Sequence, residues 1–299
     1  MLRCFKIIRH NLKKVYVVII ISFFSLSTFA TAQVGDILIW KGDTLVLFSN
    51  PLELLEDYDS LVMQISKEIE LQAERNFISS GCWRGYQAEW IVLNDSIFLN
   101  NIYDCFDSSL KINLNNIFPS LIKNQKIFAS WINGDLYIPQ GDCIEYIHFG
   151  YQSIFERETV LNIEKGLLKD YEIFHNRIVK RSDFFEREDI LEFTFRNIDW
   201  KILPDLSNMF IQVFVGVQPN EQGQFESIDE EYTYLIEYPL NDSTSTVNFV
   251  TDTNNIFIKE SIRIAKLIPE WNVFYQRGKI VGMALMVYFS EENKKKYVQ

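Results

Sequence analysis

The residues of this chain whose types could carry chemistry are Glu156 and Glu158, His148 and His175, and the run Trp83-Arg84-Gly85-Tyr86. Paired carboxylates do acid–base work when they converge in a cleft. Two residues apart on a strand, Glu156 and Glu158 share one face with Arg157 on the other, which is the pattern of solvated acids. The histidines sit among aromatics near strand ends, and no Ser or Cys stands in a nucleophile motif beside them. Ordinary hydrogen-bonded histidines are therefore expected. Trp83, Arg84 and Tyr86 could form an aromatic platform for a sugar, or Arg84 could grip a carboxylate. Alternatively Trp83 and Tyr86 pack a sheet, Arg84 tethers a loop, and Gly85 permits a tight backbone turn. Neither a Gly-rich phosphate loop nor a metal-ligand spacing is present, so no catalytic residue, cofactor or metal is assigned.

Charge and cysteine usage narrow the setting. The chain is 47% hydrophobic and 15% aromatic, with 24 Phe but only 12 Gly and 7 Pro, a composition that folds. Arg3, Lys6, Arg9, Lys13 and Lys14 precede an apolar run from Val15 to Thr28 that ends in Ala30-Thr31-Ala32. This reads as an export signal over residues 1–32, with Gln33 as the new N-terminus. A retained anchor is the alternative, and membrane contact is expected only in that case. Loss of those five basic residues takes the net charge from −11 to −16. A surface that acidic repels phosphate backbones, so nucleic acid is not an expected partner. Cys82, Cys105 and Cys143 remain, allowing one bridge at most. Cys82 and Cys105 flank a hairpin and could face each other, but buried, inert thiols are the expectation.

Around these residues the chain is mostly strand. Asp36 to Trp40 and Asp43 to Phe48 meet at Lys41-Gly42. Asn50 before Pro51 reads as a helix cap, and Leu54, Tyr58, Leu61, Val62, Ile65 and Ile69 recur at helical spacing. Further strands are Ala88–Leu93 and Ser96–Tyr103 about Asn94-Asp95, then Lys126–Ile132 and Asp135–Ile138 about Asn133-Gly134. Ile144–Phe149 comes next, and Ser153–Ile163 and Leu167–Phe174 meet at Lys165-Gly166. Short turns predict an antiparallel meander, and the lack of crossover helices argues against parallel strands. Beyond a charged connection at 176–199, Ile211, Val213, Val215 and Val217 alternate as a strand and Gln224–Ile228 returns. A helix with Ile258, Ile262, Ala265 and Ile268 on its apolar face stops at Pro269, and Ile280–Phe289 reads as one long final strand.

Two resemblances cover most of the chain. Cys82-Trp83-Arg84-Gly85-Tyr86-Gln87-Ala88-Glu89-Trp90, Phe128 to Leu136 and Tyr146 to Tyr151 resemble uncharacterised bacterial β-rich proteins with a Trp-Arg-Gly-Tyr motif, over Gly35 to His175. From Trp200 to Ser290 the chain resembles the C-terminal domain family of the energy transducer TonB. Glu260 and Arg263 fall where that family has its Glu-Ala-x-Arg helix. Pro269-Glu270-Trp271 matches its Pro-x-Trp, Gly278-Lys279-Ile280-Val281 its Gly-Lys-x-Val, and Phe289 its closing aromatic. Val273-Phe274 departs from its Pro-Gly. The family's long Pro-rich linker is also missing, so spanning two membranes in the transducer's manner is not expected. The resemblance implies strand addition of an envelope protein to the last strand, here through Met283, Leu285, Val287 and Phe289.

The expectation is an α+β protein. An antiparallel β-meander domain at 33–196 precedes a small TonB-like sheet with one packed helix at 197–299. It is exported to the periplasm or outer cell envelope and has a non-enzymatic interaction role linked to outer-membrane transport. The alternative is a secreted β-rich protein that binds or hydrolyses a ligand through its first domain.

Overall fold

In a computed structural model of the chain, the described residues are 32–73, 79–119, 121–123, 125–147, 150–240 and 248–297. The expected signal, save Ala32, and His148 lie outside them. Among the described residues no helix is long and apolar enough to cross a membrane. The fold is α+β and mostly strand, in two compact units. One runs to Phe155 and takes in Thr159–Glu172; the other comprises Glu156–Glu158 and Ile173–Gln299.

The first unit opens with β1 (Asp36–Trp40) and β2 (Asp43–Leu47). Lys41 and Gly42 both have positive φ, the turn whose twist matches a two-residue hairpin. The helix expected to start at Asn50 is interrupted. Pro51–Leu54 makes one 3-10 turn, and α1 (Tyr58–Ala73) begins only afterwards. Leu61, Ile65 and Ile69 of α1 are buried, while Leu54 is exposed. This helix carries the chain across to β3 (Tyr86–Leu93), which pairs with β1 in parallel, Ile37 opposite Glu89. The purely antiparallel expectation fails here because a 16-residue helix is long enough for a crossover.

β4 (Ser96–Asp104) returns antiparallel to β3. Next come α2 (Leu114–Ile117), β5 (Ile122–Lys123), β6 (Lys126–Phe128), β7 (Gly134–Glu145), β8 (Ile154–Glu164) and β9 (Leu167–His175). The sheet order β2-β1-β3-β4-β9-β8-β7, with β6 joining β4 and β5, is not a simple meander. Asn133-Gly134 is not a hairpin. The strand before it stops at Phe128, because Ala129 donates to the Ile97 carbonyl and Ile132 turns back onto Ala129. Asn133 Oδ1 instead accepts from the Lys165 amide at 2.8 Å, bracing the β8–β9 turn. The expected strand at Ile144 is the end of β7. The two edge strands meet where the amide after β2, on Phe48, donates to the Tyr137 carbonyl of β7. Leu38, Tyr86, Trp90, Ile97, Leu99, Ile138 and Leu161 lie in the core so enclosed.

In the second unit β10 (Arg177–Lys180), α3 (Asp183–Arg187) and α4 (Ile190–Asn197) precede the expected boundary near Asn197 yet belong with the C-terminal sheets. Phe184, Phe185, Ile190, Phe193 and Phe195 pack on the core of that unit, which accounts for their placement. β11 (Met209–Pro219) pairs with β12 (Phe225–Pro239). β12 runs well past the Gln224–Ile228 return expected from sequence. β13 (Asn248–Val250), α5 (Ile256–Ala265), β14 (Val273–Gln276), β15 (Lys279–Val281), β16 (Ala284–Phe289) and α6 (Glu291–Tyr297) complete it. The strands form a sheet ordered β13-β12-β11-β16 and a smaller one ordered β10-β14-β15. α5 lies across β11 and β12 with Phe257, Ile258, Ile264 and Ala265 buried.

The single long strand expected from Ile280 to Phe289 is two strands in different sheets. β15 pairs with β14 through a turn at Arg277-Gly278, both with positive φ, and β16 pairs with β11. Gly282 lies at the break. A Cβ there would come within 1.7 Å of the Val217 carbonyl oxygen, so only glycine lets the chain pass so close.

Candidate functional site

β16 is the outermost strand of the four-stranded sheet, and its register follows from one bond. The Val217 amide donates to the Met283 carbonyl at 3.1 Å, and Val215 then faces Leu285, Val213 faces Val287, and Ile211 faces Phe289. In an antiparallel ladder the main-chain groups of successive residues point to alternate sides. Leu285, Val287 and Phe289 thus spend theirs on β11, while Ala284, Met286 and Tyr288 aim theirs outward, where no described strand pairs with them.

Side chains follow the same alternation. Leu285, Val287 and Phe289 are 2% exposed or less and sit in the core, with Phe289 against Phe257 and Trp200. Met283 is partly buried against that core, and its sulfur accepts from Asn272 Nδ2 at 3.4 Å. The four residues singled out from sequence therefore hold the strand in place. Ala284, Met286 and Tyr288 are the ones presented at the edge, and sequence reasoning missed them. The alternation was visible, but which parity faces inward is set by the arrival of α5 and α4.

Ala284, Met286 and Tyr288 also share the sheet's outer face with an aromatic row. Phe210 stacks on Tyr288 at 5.9 Å and tilts against Tyr238 at 5.8 Å; Phe214 stacks on Tyr234 at 4.7 Å, and Tyr234 on Phe249 at 4.6 Å. Gln212 joins the row, accepting from Tyr238 and donating to the Met286 sulfur. Partial burial raises the phenol pKa of Tyr234, Tyr238 and Tyr288.

The other edges of this sheet are guarded. β13 is only three residues long, and the first half of β12 carries exposed Glu226, Glu230 and Glu231. β16 has no charge, proline or bulge along its length, the devices that ordinarily block edge pairing.

The motif residues of the helix and its stop build the frame. Glu260, 3% exposed, accepts from the Asp199 amide at 2.6 Å and from Arg263 Nε and Nη2 at 2.8 and 2.7 Å; Arg263 also donates to the Asn197 carbonyl. This clamp ties α5 to the chain entering the sheet. Trp271 is fully buried, its amide donating to the Gly223 carbonyl at 2.7 Å. Its ring lies 5.4 Å from Phe185.

Trp83, Arg84 and Tyr86 do not form one surface. Trp83 is half exposed, whereas Tyr86 and Arg84 are buried. Arg84 donates to Asn50 Oδ1 and the Val34 carbonyl, lies 3.4 Å from Asp36, and stacks over Tyr86. Asp36 accepts from the Ala88 amide and Trp90 Nε1. Burial pushes its carboxyl up to about 6, against the opposing pull of Arg84. Asn50, expected as a helix cap, spends its oxygen on Arg84 and Tyr151 instead. The cluster buckles β1 to the start of β3.

Cys82 and Cys105 form a disulfide, correcting the expectation of inert thiols. The β3–β4 register, Tyr86 opposite Asp104, brings the two flanking segments together. Cys143 is an exposed free thiol rather than a buried one. Glu158, expected to be solvated, is 6% exposed and held by Gln276 at 2.8 Å and Arg277 at 3.1 Å, leaving Glu156 exposed. His175 is exposed. Among the described residues no group of His, Cys, Asp and Glu is placed to hold a metal. An open cleft of about 450 Å³ lined by Asp183, Phe184, Arg187, Glu188, Pro269 and Glu270 lies apart from the β16 edge and contains no nucleophile–base pair. No protein-family model matches the chain, and neither a curated protein nor a solved structure resembles it.

Proposed function

We propose that this is an exported cell-envelope protein whose TonB-like C-terminal module works by interaction rather than catalysis, taking an extended segment of an envelope protein onto β16. The supporting observation is the edge: three outward residues in alternation, Ala284, Met286 and Tyr288, on an uncharged strand beside an aromatic face. Main-chain pairing supplies the affinity in such an addition, and the alternating side chains supply the choice of partner. The Cys82–Cys105 disulfide supports the compartment, since such bridges persist where the surroundings are oxidising. A role linked to outer-membrane transport rests on the resemblance of Glu260 to Phe289.

The test is a photo-crosslinker at Ala284 in living cells, with Met286→Pro as the control that removes one outward amide. Capture of an envelope protein that Met286→Pro abolishes, at unchanged thermal stability, is expected. No capture, or equal capture from both proteins, sinks the proposal. The ligand-binding alternative is set aside because Arg84 and Tyr86 are occupied within the fold.

A further inference from the structure

We propose that Met286 is a redox-modification site, its thioether being oxidised by hydrogen peroxide to a sulfoxide that Gln212 and Tyr288 then hold by hydrogen bonds. Only the consequence, that oxidation weakens capture, rests on the reading of β16 as a capturing strand. The three side chains meet by register: Tyr288 lies two residues beyond Met286 on the outer face, and Gln212 stands opposite Tyr288 on β11. Gln212 Nε2 donates to the Met286 sulfur at 3.8 Å, and the Tyr288 hydroxyl donates to it at 3.7 Å. Gln212 is 6% exposed, and its Oε1 accepts from Tyr238, which fixes the amide with its donor toward the sulfur. A thioether is a weak acceptor, whereas a sulfoxide oxygen is a strong one. Two donors converging on one sulfur therefore suit the oxidised side chain better than the reduced one.

The reaction balances with peroxide alone. A sulfur lone pair attacks one peroxide oxygen, the S–O bond forms as the O–O bond breaks, and the other oxygen departs as water with both protons. An electron pair passes from sulfur to peroxide. Negative charge grows on the departing oxygen, and the Tyr288 hydroxyl, already beside the sulfur, turns to donate to it. The remaining described methionines are placed differently. Met63 on α1 is 67% exposed, whereas Met209 and Met283 pack against the core, the Met283 sulfur on Asn272. On β16 a sulfoxide makes the middle residue of the outward trio polar, so apolar side chains of a captured segment lose a neighbour there.

Timed exposure of the purified chain to hydrogen peroxide, read by peptide mass mapping, tests this with Met63 as an internal clock. In the wild type Met286 should gain an oxygen at least as fast as the far more exposed Met63. Tyr288→Phe keeps the ring and its stacking on Phe210 but removes the donor. The rate at Met286 relative to Met63 should then fall about fivefold, the worth of one hydrogen bond. Continued protection of Met209 and Met283 shows that the variant is folded; if that protection is lost, the wild-type comparison decides alone. Slower oxidation of Met286 than of Met63 in the wild type overturns the proposal, as does an unchanged ratio in folded Tyr288→Phe. In cells, peroxide should lower photo-crosslinked capture at Ala284, while Met286→Leu, whatever its starting level, should show no such drop. An equal drop in both removes the consequence for capture. No capture at all sinks the strand-addition reading and leaves the oxidation to be decided by mass mapping.

Discussion

Asp36 and Arg84 show how residues suited to chemistry are spent on structure. Each is buried and each is tied to main chain or side chain from a distant segment. The Asp36 carboxyl titrates near 6 when folded against 3.8 as an unperturbed group, so the folded state holds its proton more tightly. Stability must then fall as pH rises from about 4 to about 6, by up to ~3 kcal/mol, and level off above. Asp36→Asn should remove that slope, and denaturant melts of both proteins from pH 4 to 7 would show it. Parallel curves would mean that Asp36 ionises as easily folded as unfolded. The run Trp83 to Tyr86 was legible as unusual. That Arg84 turns inward was not, since its partners lie 34 to 50 positions earlier in the chain.

Elements were readable wherever the backbone itself carries the signal. Lys41-Gly42, Asn94-Asp95 and Lys165-Gly166 all adopt left-handed φ at both turn positions, and each closes the hairpin expected of it. Asn133-Gly134 has the same local preference but loses to burial of Ala129 and Ile132. The break between β15 and β16 depends on Gly282 lying against the Val217 carbonyl. Gly282→Val should force the two strands apart and cost at least ~3 kcal/mol, the range of severe steric changes. It should also loosen the Val217–Met283 bond, visible as faster amide exchange at Val217. Protection equal to the wild type would show that the backbone yields more readily than this contact implies.

At the scale of the molecule, a bridge and two cores set what is stable. The Cys82–Cys105 link closes a loop with a sequence separation of 23. Reducing it should cost the first unit about 3 kcal/mol, chiefly through the unfolded chain. Amides of β3 and β4 should then exchange faster while those of β11 and β12 hold; equal acceleration in both units would contradict the division into two cores. Sequence alone determined the α+β class, three of the hairpin turns and the acidic balance, because these follow from φ preferences, periodicity and charge within a few residues; the helix expected to run to Pro269 ends at Ala265. Tertiary structure decided which parity of β16 faces inward, where that strand is cut, and that Arg84 is internal. Those outcomes depend on which distant segment arrives to exclude water, and no local window contains it.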